Sequence, residues 1–293
     1  MRKFILGTDW WTDCDDAVAL RLLSRAVKAG EATLEGVVIN ACMEHSVASL
    51  RGFLRNEGLT SVPVGIDREA TDFGGAPPYQ KRLAETLAPD LTNTHAEDAV
   101  RLYRRILANA TRPVELLEIG YLQAVAALLK SPADDISPQT GRELVAERVS
   151  RCWVMAGKWD ADGARENNFC RNPRARVAGQ EFCALCPVPV TFLGFEVGYG
   201  VLTGGELPPD DVLHHVLCDH GSADGRHSWD PMLILLALVG DETAAGYTAV
   251  TGRAAVDPAD GANHFTPHPH GPHRYVVKAR EDAFYAAAIN ARL

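Results

Sequence analysis

The sequence predicts an open, mostly parallel, Rossmann-like α/β sheet with helices on both faces, and three observations carry that prediction. Short apolar runs alternate with longer helical patterns along most of the chain. The strand-like runs are nearly continuously apolar, as strands covered on both faces must be. At 293 residues, with 46% apolar and 23% charged residues, the chain can bury a large core, and this composition excludes disorder as its main state.

Taken in order, residues 4–6 read as a first strand closed by Gly7, and a helical pattern occupies 17–23 after an acidic stretch. Residues 34–39 read as strand, 47–54 as helix, 62–64 as a short strand and 96–107 as an amphipathic helix. Residues 114–119 are strand-like and 123–129 helical. Two further strands, 152–155 and 188–193, flank a helical stretch at 174–183, and 231–239 is a long apolar helix. The longest apolar run, 232–239, is too short to span a bilayer. No repeat and no Pro, Gly or Ser-rich linker divides the sequence, so residues 1–293 are expected to form a single domain, with 67–94 and 263–273 as long surface loops. Ligands of such sheets gather at the carboxyl ends of the strands.

Acidic residues number 38 against 29 basic ones, a formal charge of -9. That field repels phosphate backbones and anionic lipid, which argues against nucleic-acid polymers and membranes as partners. The start of the chain lacks the features of a signal peptide, and a cytoplasmic location is expected. Seven cysteines without framework spacing read as reduced thiols, and the lone Cys183-x-x-Cys186 pair as coincidence.

The densest chemical signal is Gly7-Thr8-Asp9-Trp10-Trp11-Thr12-Asp13-Cys14-Asp15-Asp16-Ala17, which sets four carboxylates between a buried strand and a helix. A hard divalent cation would remove their repulsion. The competing reading is that Asp15 and Asp16 favour a first helical turn while Asp9 and Asp13 are solvated.

This cluster, followed by Ala17-x-Ala19-Leu20, resembles the signature of the inosine-uridine preferring nucleoside hydrolases. Three further stretches match in order. They are Ile119-Gly120-Tyr121-Leu122; Met155-Ala156-Gly157 leading to Asp160, Glu166, Asn168 and Asn172-Pro173; and Trp229-Asp230-Pro231. The resemblance spans roughly residues 3 to 239. It implies calcium-dependent hydrolysis of the N-glycosidic bond of a ribonucleoside, to ribose and free base, by a homodimer or homotetramer. Departure of the base leaves an oxocarbenium-like ribosyl centre, which requires an activated water, a carboxylate to take its proton and negative charge near the sugar. Carried over by motif, Asp9, Asp16, Asp230 and the main-chain carbonyl of Ile119 would serve the calcium. Asp15 would hold ribose hydroxyls and share the metal, and Glu166 and Asn168 would grip the ribose. The acidic loop is longer than the family's common form, so either Asp9 or Asp13 would be the general base.

Several residues depart from the family pattern. Trp10 and Trp11 replace small residues and would form a stacking wall for a base, narrow the pocket or pack in the core. Asp160 stands where an Asn is usual, and Asn40 lies near the position of an early substrate-binding Asn but outside its usual setting. Trp229 replaces a histidine and tilts the expectation towards a purine or modified base, with His227 nearby as a candidate acid. His264, His268, His270 and His273 lie in a Pro-rich stretch read as a solvated or site-rim loop. Two alternatives stand beside the hydrolase: a catalytically impaired nucleoside- or ribose-binding protein of the same fold, and a metal-dependent phosphohydrolase. The latter is disfavoured by the absence of a Gly-rich phosphate cradle.

Overall fold

A computed structural model describes residues 1–293. The chain runs β1 (Arg2–Thr8), α1 (Asp15–Lys28), β2 (Ala32–Ile39), α2 (Ser46–Asn56), β3 (Val64–Ile66), α3 (Gln80–Leu87), β4 (Glu97–Asp98), α4 (Ala99–Ala108), β5 (Val114–Glu118), α5 (Gln123–Lys130), α6 (Gly141–Arg148) and β6 (Val149–Met155). It continues through α7 (Asn167–Cys170), α8 (Pro173–Leu185), β7 (Val190–Leu193), α9 (Phe195–Gly198), β8 (Leu202–Thr203), α10 (Val212–His220), β9 (Arg226–His227) and α11 (Trp229–Val239). The last elements are β10 (Tyr247–Val256), β11 (Asn263–Pro267), β12 (His273–Lys278) and α12 (Asp282–Asn290).

Ten strands form one open sheet in the order β11-β10-β12-β7-β6-β5-β1-β2-β3-β4, and β8 pairs with β9 in a small separate ribbon. All pairings from β12 to β4 are parallel, whereas β10 runs antiparallel to both of its neighbours. Alternate side chains of the central strands feed opposite cores. Phe4, Leu6, Leu117 and Trp153 pack with α1, α2 and α11 on one face, while Ile5, Leu116, Cys152 and Val154 pack with α4, α5 and α8 on the other. This two-sided burial is why the strands read as continuous apolar runs.

The differences from expectation have local causes. The short strand begins at Val64 and not at residue 62, because Pro63 has no N–H to give a ladder; its carbonyl instead accepts from Val37 at 3.0 Å. The helix expected over 96–107 starts at Ala99, where the Asp98 side chain caps it by accepting from the Arg101 amide, and Glu97 and Asp98 join β3 as an edge strand. The segment 67–94 contains α3. The stretch 263–273 is largely β11 and the turn into β12, because its alternating polar pattern suits an antiparallel edge open to solvent on one side. His273 is buried within that sheet and accepts from the Ala254 amide at 2.9 Å, so it is a packing residue. His268 and His270 are exposed, and His264 contacts Asp162 on the surface. Cys186 lies beside Cys152, with sulfurs 3.8 Å apart, and not beside Cys183. No helix is long and apolar enough to cross a membrane.

Helix α11 is buried almost all round and carries Asp230 at its first turn. Its Leu233 is fully buried in the larger core. Leu233→Ala is expected to cost about 2–5 kcal/mol of stability, measured by urea unfolding; a loss below 0.5 kcal/mol would contradict this packing.

Candidate functional site

The carboxyl ends of β1, β5 and β6, with the starts of α1, α7 and α11, enclose a pocket of about 300 Å³. Its walls include Asp9, Trp11, Asp13, Asp15, Asp16, Ile119, Glu166, Asn168, Trp229 and Asp230. Eight of these were singled out from the sequence as metal, sugar or proton-transfer residues; Trp229 was read as a base contact, and Trp11 as a base wall, a pocket constriction or a core residue.

The backbone there is held by few alternatives. Trp10 is the single non-glycine residue with positive φ, at 45°. Its amide donates to Thr8 Oγ1 and to Asp16 Oδ1, its indole Nε1 donates to Ser49 Oγ at 2.9 Å, and its ring packs against Phe53 and Tyr79. Gly120 is required where the chain after β5 passes the acidic loop, since a Cβ would sit 2.3 Å from the Asp9 amide nitrogen. Trp10 is thus the anchor of the loop, with no surface left to meet a ligand.

Asp15, Asp16 and Asp230 are buried, and each offers an oxygen within 4.8 Å of the others. Thr8 Oγ1 donates to Asp16, and the amide of Asp230 donates to Asp15 at 3.1 Å. None of these three, nor Asp9, forms an ion pair with a lysine, arginine or histidine; the basic group nearby, Arg226, is engaged in a two-point pair with Asp13 at 2.8 and 2.5 Å. Burial and mutual repulsion raise all three carboxyls well above the usual range. Burial and the neighbouring Asp13 and Asp15 charges push Asp9 up to about 7. Asp13 is lowered by Arg226 against the opposing effect of burial. An all-oxygen, uncompensated donor set of this kind fits a hard divalent cation, with Asp15, Asp16 and Asp230 as its protein carboxylates and Ile119 beside them in the pocket wall.

On the opposite wall, Glu166 caps α7. It accepts from the amides of Gly157 and Asn168 and is pushed up to about 7 by burial. Asn168 donates to the Met155 carbonyl at 2.9 Å. Glu166 is therefore a helix cap and Asn168 a tie to the end of β6, and both are pocket walls as well. Trp229 donates its indole N–H to the Phe195 carbonyl at 2.7 Å and stacks on the Phe195 ring at 5.3 Å; Arg226 lies 5.2 Å from the Trp229 ring. His227 stands behind this wall, accepting from the Gly200 amide through Nδ1 and stacking on Tyr199 at 4.7 Å.

Besides Trp10 and His227, two further expected site residues lie outside the pocket walls. Asp160 is exposed and paired with Lys158, because the turn after Gly157 carries it out to solvent. Asn40 is fully buried beneath the pocket, where its Oδ1 accepts from the Tyr121 amide at 3.0 Å and its carbonyl accepts from Gln123, so it braces the loop after β5. Sequence reasoning missed Arg171, Arg226, Phe195 and Asn167 as pocket residues. Arg226 had no local signal, since its partner Asp13 is over two hundred positions away.

No protein-family model and no curated protein sequence matches the chain. Solved structures do. A plant nucleoside hydrolase, PpNRh1, superposes with a TM-score of 0.74 at 15% identity over 99% of this chain and 98% of that one. The chain has the nucleoside hydrolase fold. A purine-preferring ribonucleoside hydrolase from Gardnerella vaginalis gives 0.73 at 17% identity over 99% and 98%. The type III effector XopQ, complexed with adenosine diphosphate ribose, gives 0.68 at 17% identity over 99% and 93%. A nucleoside hydrolase fold thus accounts for the central parallel sheet and for the place of the pocket at its carboxyl edge.

The raised carboxyls fix the sign of the pH dependence. Asp9 and Glu166 near 7 and Glu118, buried below the pocket and pushed up to about 8, keep protons that the unfolded chain releases near pH 4. Stability of the metal-free protein is therefore expected to fall as pH rises from about 4 to 8. A divalent cation that occupies this cluster should raise the melting temperature more at pH 8 than at pH 5, because protons compete for the same oxygens. A flat thermal-unfolding profile, or equal shifts at both pH values, would contradict the cluster's electrostatics.

Proposed function

We propose that this chain is a calcium-dependent N-ribohydrolase acting on a ribonucleoside, with a purine or modified base favoured. The observation that carries the reading is the buried Asp15, Asp16 and Asp230 trio without a counter-charge, placed in one pocket with Asp9, Glu166 and Asn168. A divalent cation held by the trio and by the carbonyl of Ile119 would supply the positive charge that lets the carboxylates ionise together and makes a neighbouring water more acidic.

The protein's own groups then divide the work. Asp9 is the general base: it is free of ion pairs, whereas both oxygens of Asp13 are taken by Arg226. Asp13 instead orients Arg226 beside Trp229. Asp15, Glu166 and Asn168 bind ribose hydroxyls, and the acidic floor favours the positive charge that grows on the sugar as the base departs. Trp229 and Phe195 form a flat wall for a heterocyclic base, with Trp11 across the pocket. His227 is lowered by burial and by Arg226 and carries its proton on Nε2 when neutral, given the amide donated to Nδ1. With its ring 5.3 Å from that of Trp229, it is the group assigned to leaving-group protonation. Trp10, Asn40 and Asp160 have supporting or surface roles. A cytoplasmic homodimer or homotetramer is the form expected from the resemblance.

A second reading, ligand binding without turnover, is favoured by the likeness to XopQ, whose structure is described as a complex with adenosine diphosphate ribose.

A reducing-sugar assay with calcium against inosine, adenosine, guanosine, uridine and cytidine separates the two readings. Chelator-sensitive ribose release is expected, strongest with a purine. Asp9→Ala should keep one calcium per chain and lose at least a hundredfold in kcat, the scale of a general base. Asp16→Ala and Asp230→Ala should lose calcium binding itself. Normal turnover by Asp16→Ala would sink the metal assignment, and calcium binding with no release from any nucleoside would favour the binding reading.

A further inference from the structure

Two arginines line the pocket, and they are in different states. Arg226 is committed to Asp13. Arg171, at the end of α7, forms no ion pair with any carboxylate. Its guanidinium lies 4.7 Å from the Trp11 ring, and one N–H donates to the Phe73 carbonyl at 2.9 Å. Both supports are rigid: Trp11 and Phe73 are buried and pack on each other and on Tyr121. Arg171 is exposed where it lines this pocket, and its guanidinium, steadied by Trp11 and Phe73, keeps most of its five donors uncommitted to protein partners beside an acidic floor. An aromatic-stacked, preorganised guanidinium is suited to planar, two-point recognition of an oxyanion, and its ordering is complete before any ligand arrives.

We propose that Arg171 forms an anion subsite and that the substrate class of this pocket is a phosphorylated ribonucleoside, bound with its ribose over the acidic floor and its phosphate on Arg171. This rests on the reading of the pocket as a ribose site. The phosphate does not belong among the carboxylates, where repulsion opposes it; the aromatic wall carrying Arg171 is the part of the pocket that offers an unspent positive charge. Arg171 is a specificity-determining residue here, with no part in bond cleavage.

The test is calorimetric titration of the full-length, calcium-loaded Asp9→Ala protein, which should keep the metal with turnover suppressed, with adenosine and with adenosine 5′-monophosphate, Arg171 being varied in the same background. The monophosphate is expected to bind at least about tenfold more tightly, the size of a charge-assisted contact. Arg171→Gln should bring the ratio of the two dissociation constants close to one, and Arg171→Lys should retain part of it, as a point charge without the fork. Equal affinities with Arg171 in place, or an unchanged ratio in Arg171→Gln, would overturn the proposal. A selective loss of guanosine relative to adenosine in Arg171→Gln, without loss of the phosphate ratio, would assign Arg171 to the base edge and also overturn it. Adenosine binding without phosphate preference leaves the ribose site standing and removes the anion subsite alone; binding of neither ligand removes both.

Discussion

The constraint on which this structure depends is the burial of Asp15, Asp16 and Asp230 within a few ångströms of one another without a basic partner. Buried carboxylates are costly unless they are protonated, hydrogen-bonded or neutralised by a cation. The fold answers in part. Thr8 donates to Asp16, and the amide at the start of α11 donates to Asp15. Those contacts orient the oxygens without cancelling their charge, so the floor of the pocket is built for a positive ligand.

Much of the surrounding architecture serves to hold that floor. The left-handed backbone of Trp10 turns the chain so that Asp9 and Asp16 approach one another, and its indole locks the turn into the core through Ser49, Phe53 and Tyr79. Gly120 lets the chain after β5 pass against the Asp9 backbone, and Asn40 ties that crossing to β2. Glu166 is fixed by the helix it caps and Asn168 by its bond to the Met155 carbonyl, which presents polar atoms to the pocket with little freedom left to lose.

Much of this was legible in the sequence, for physical reasons. Strands buried on both faces give uninterrupted apolar runs, so β1, β2, β5, β6 and β7 could be placed within a few residues. The acidic loop stood out because few structural needs bring four carboxylates between apolar elements, whereas Asp230 was marked only by the resemblance of Trp229-Asp230-Pro231 to a family element. The C-terminal strands were not legible, because β10 and β11 form an antiparallel edge with one wet side and their polar alternation resembles loop. Trp10 and Trp11 are adjacent yet divide between core and pocket, a choice set by one positive φ that no composition rule reveals. Asp160 was misplaced for a similar reason: motif spacing located the turn, but its side chain points to Lys158 and solvent. Arg226 and Arg171 acquire meaning only through distant partners, Asp13 and Trp11.

In the metal-free protein the oxygens of the carboxylate trio hold protons that a bound cation would displace. The most direct measurement is calcium titration of the metal-stripped protein at pH 7 in two buffers of different ionisation enthalpy. This yields stoichiometry and protons released together. One calcium per chain, with release of one or more protons, is expected. Absence of binding, or binding with no proton release, would contradict it.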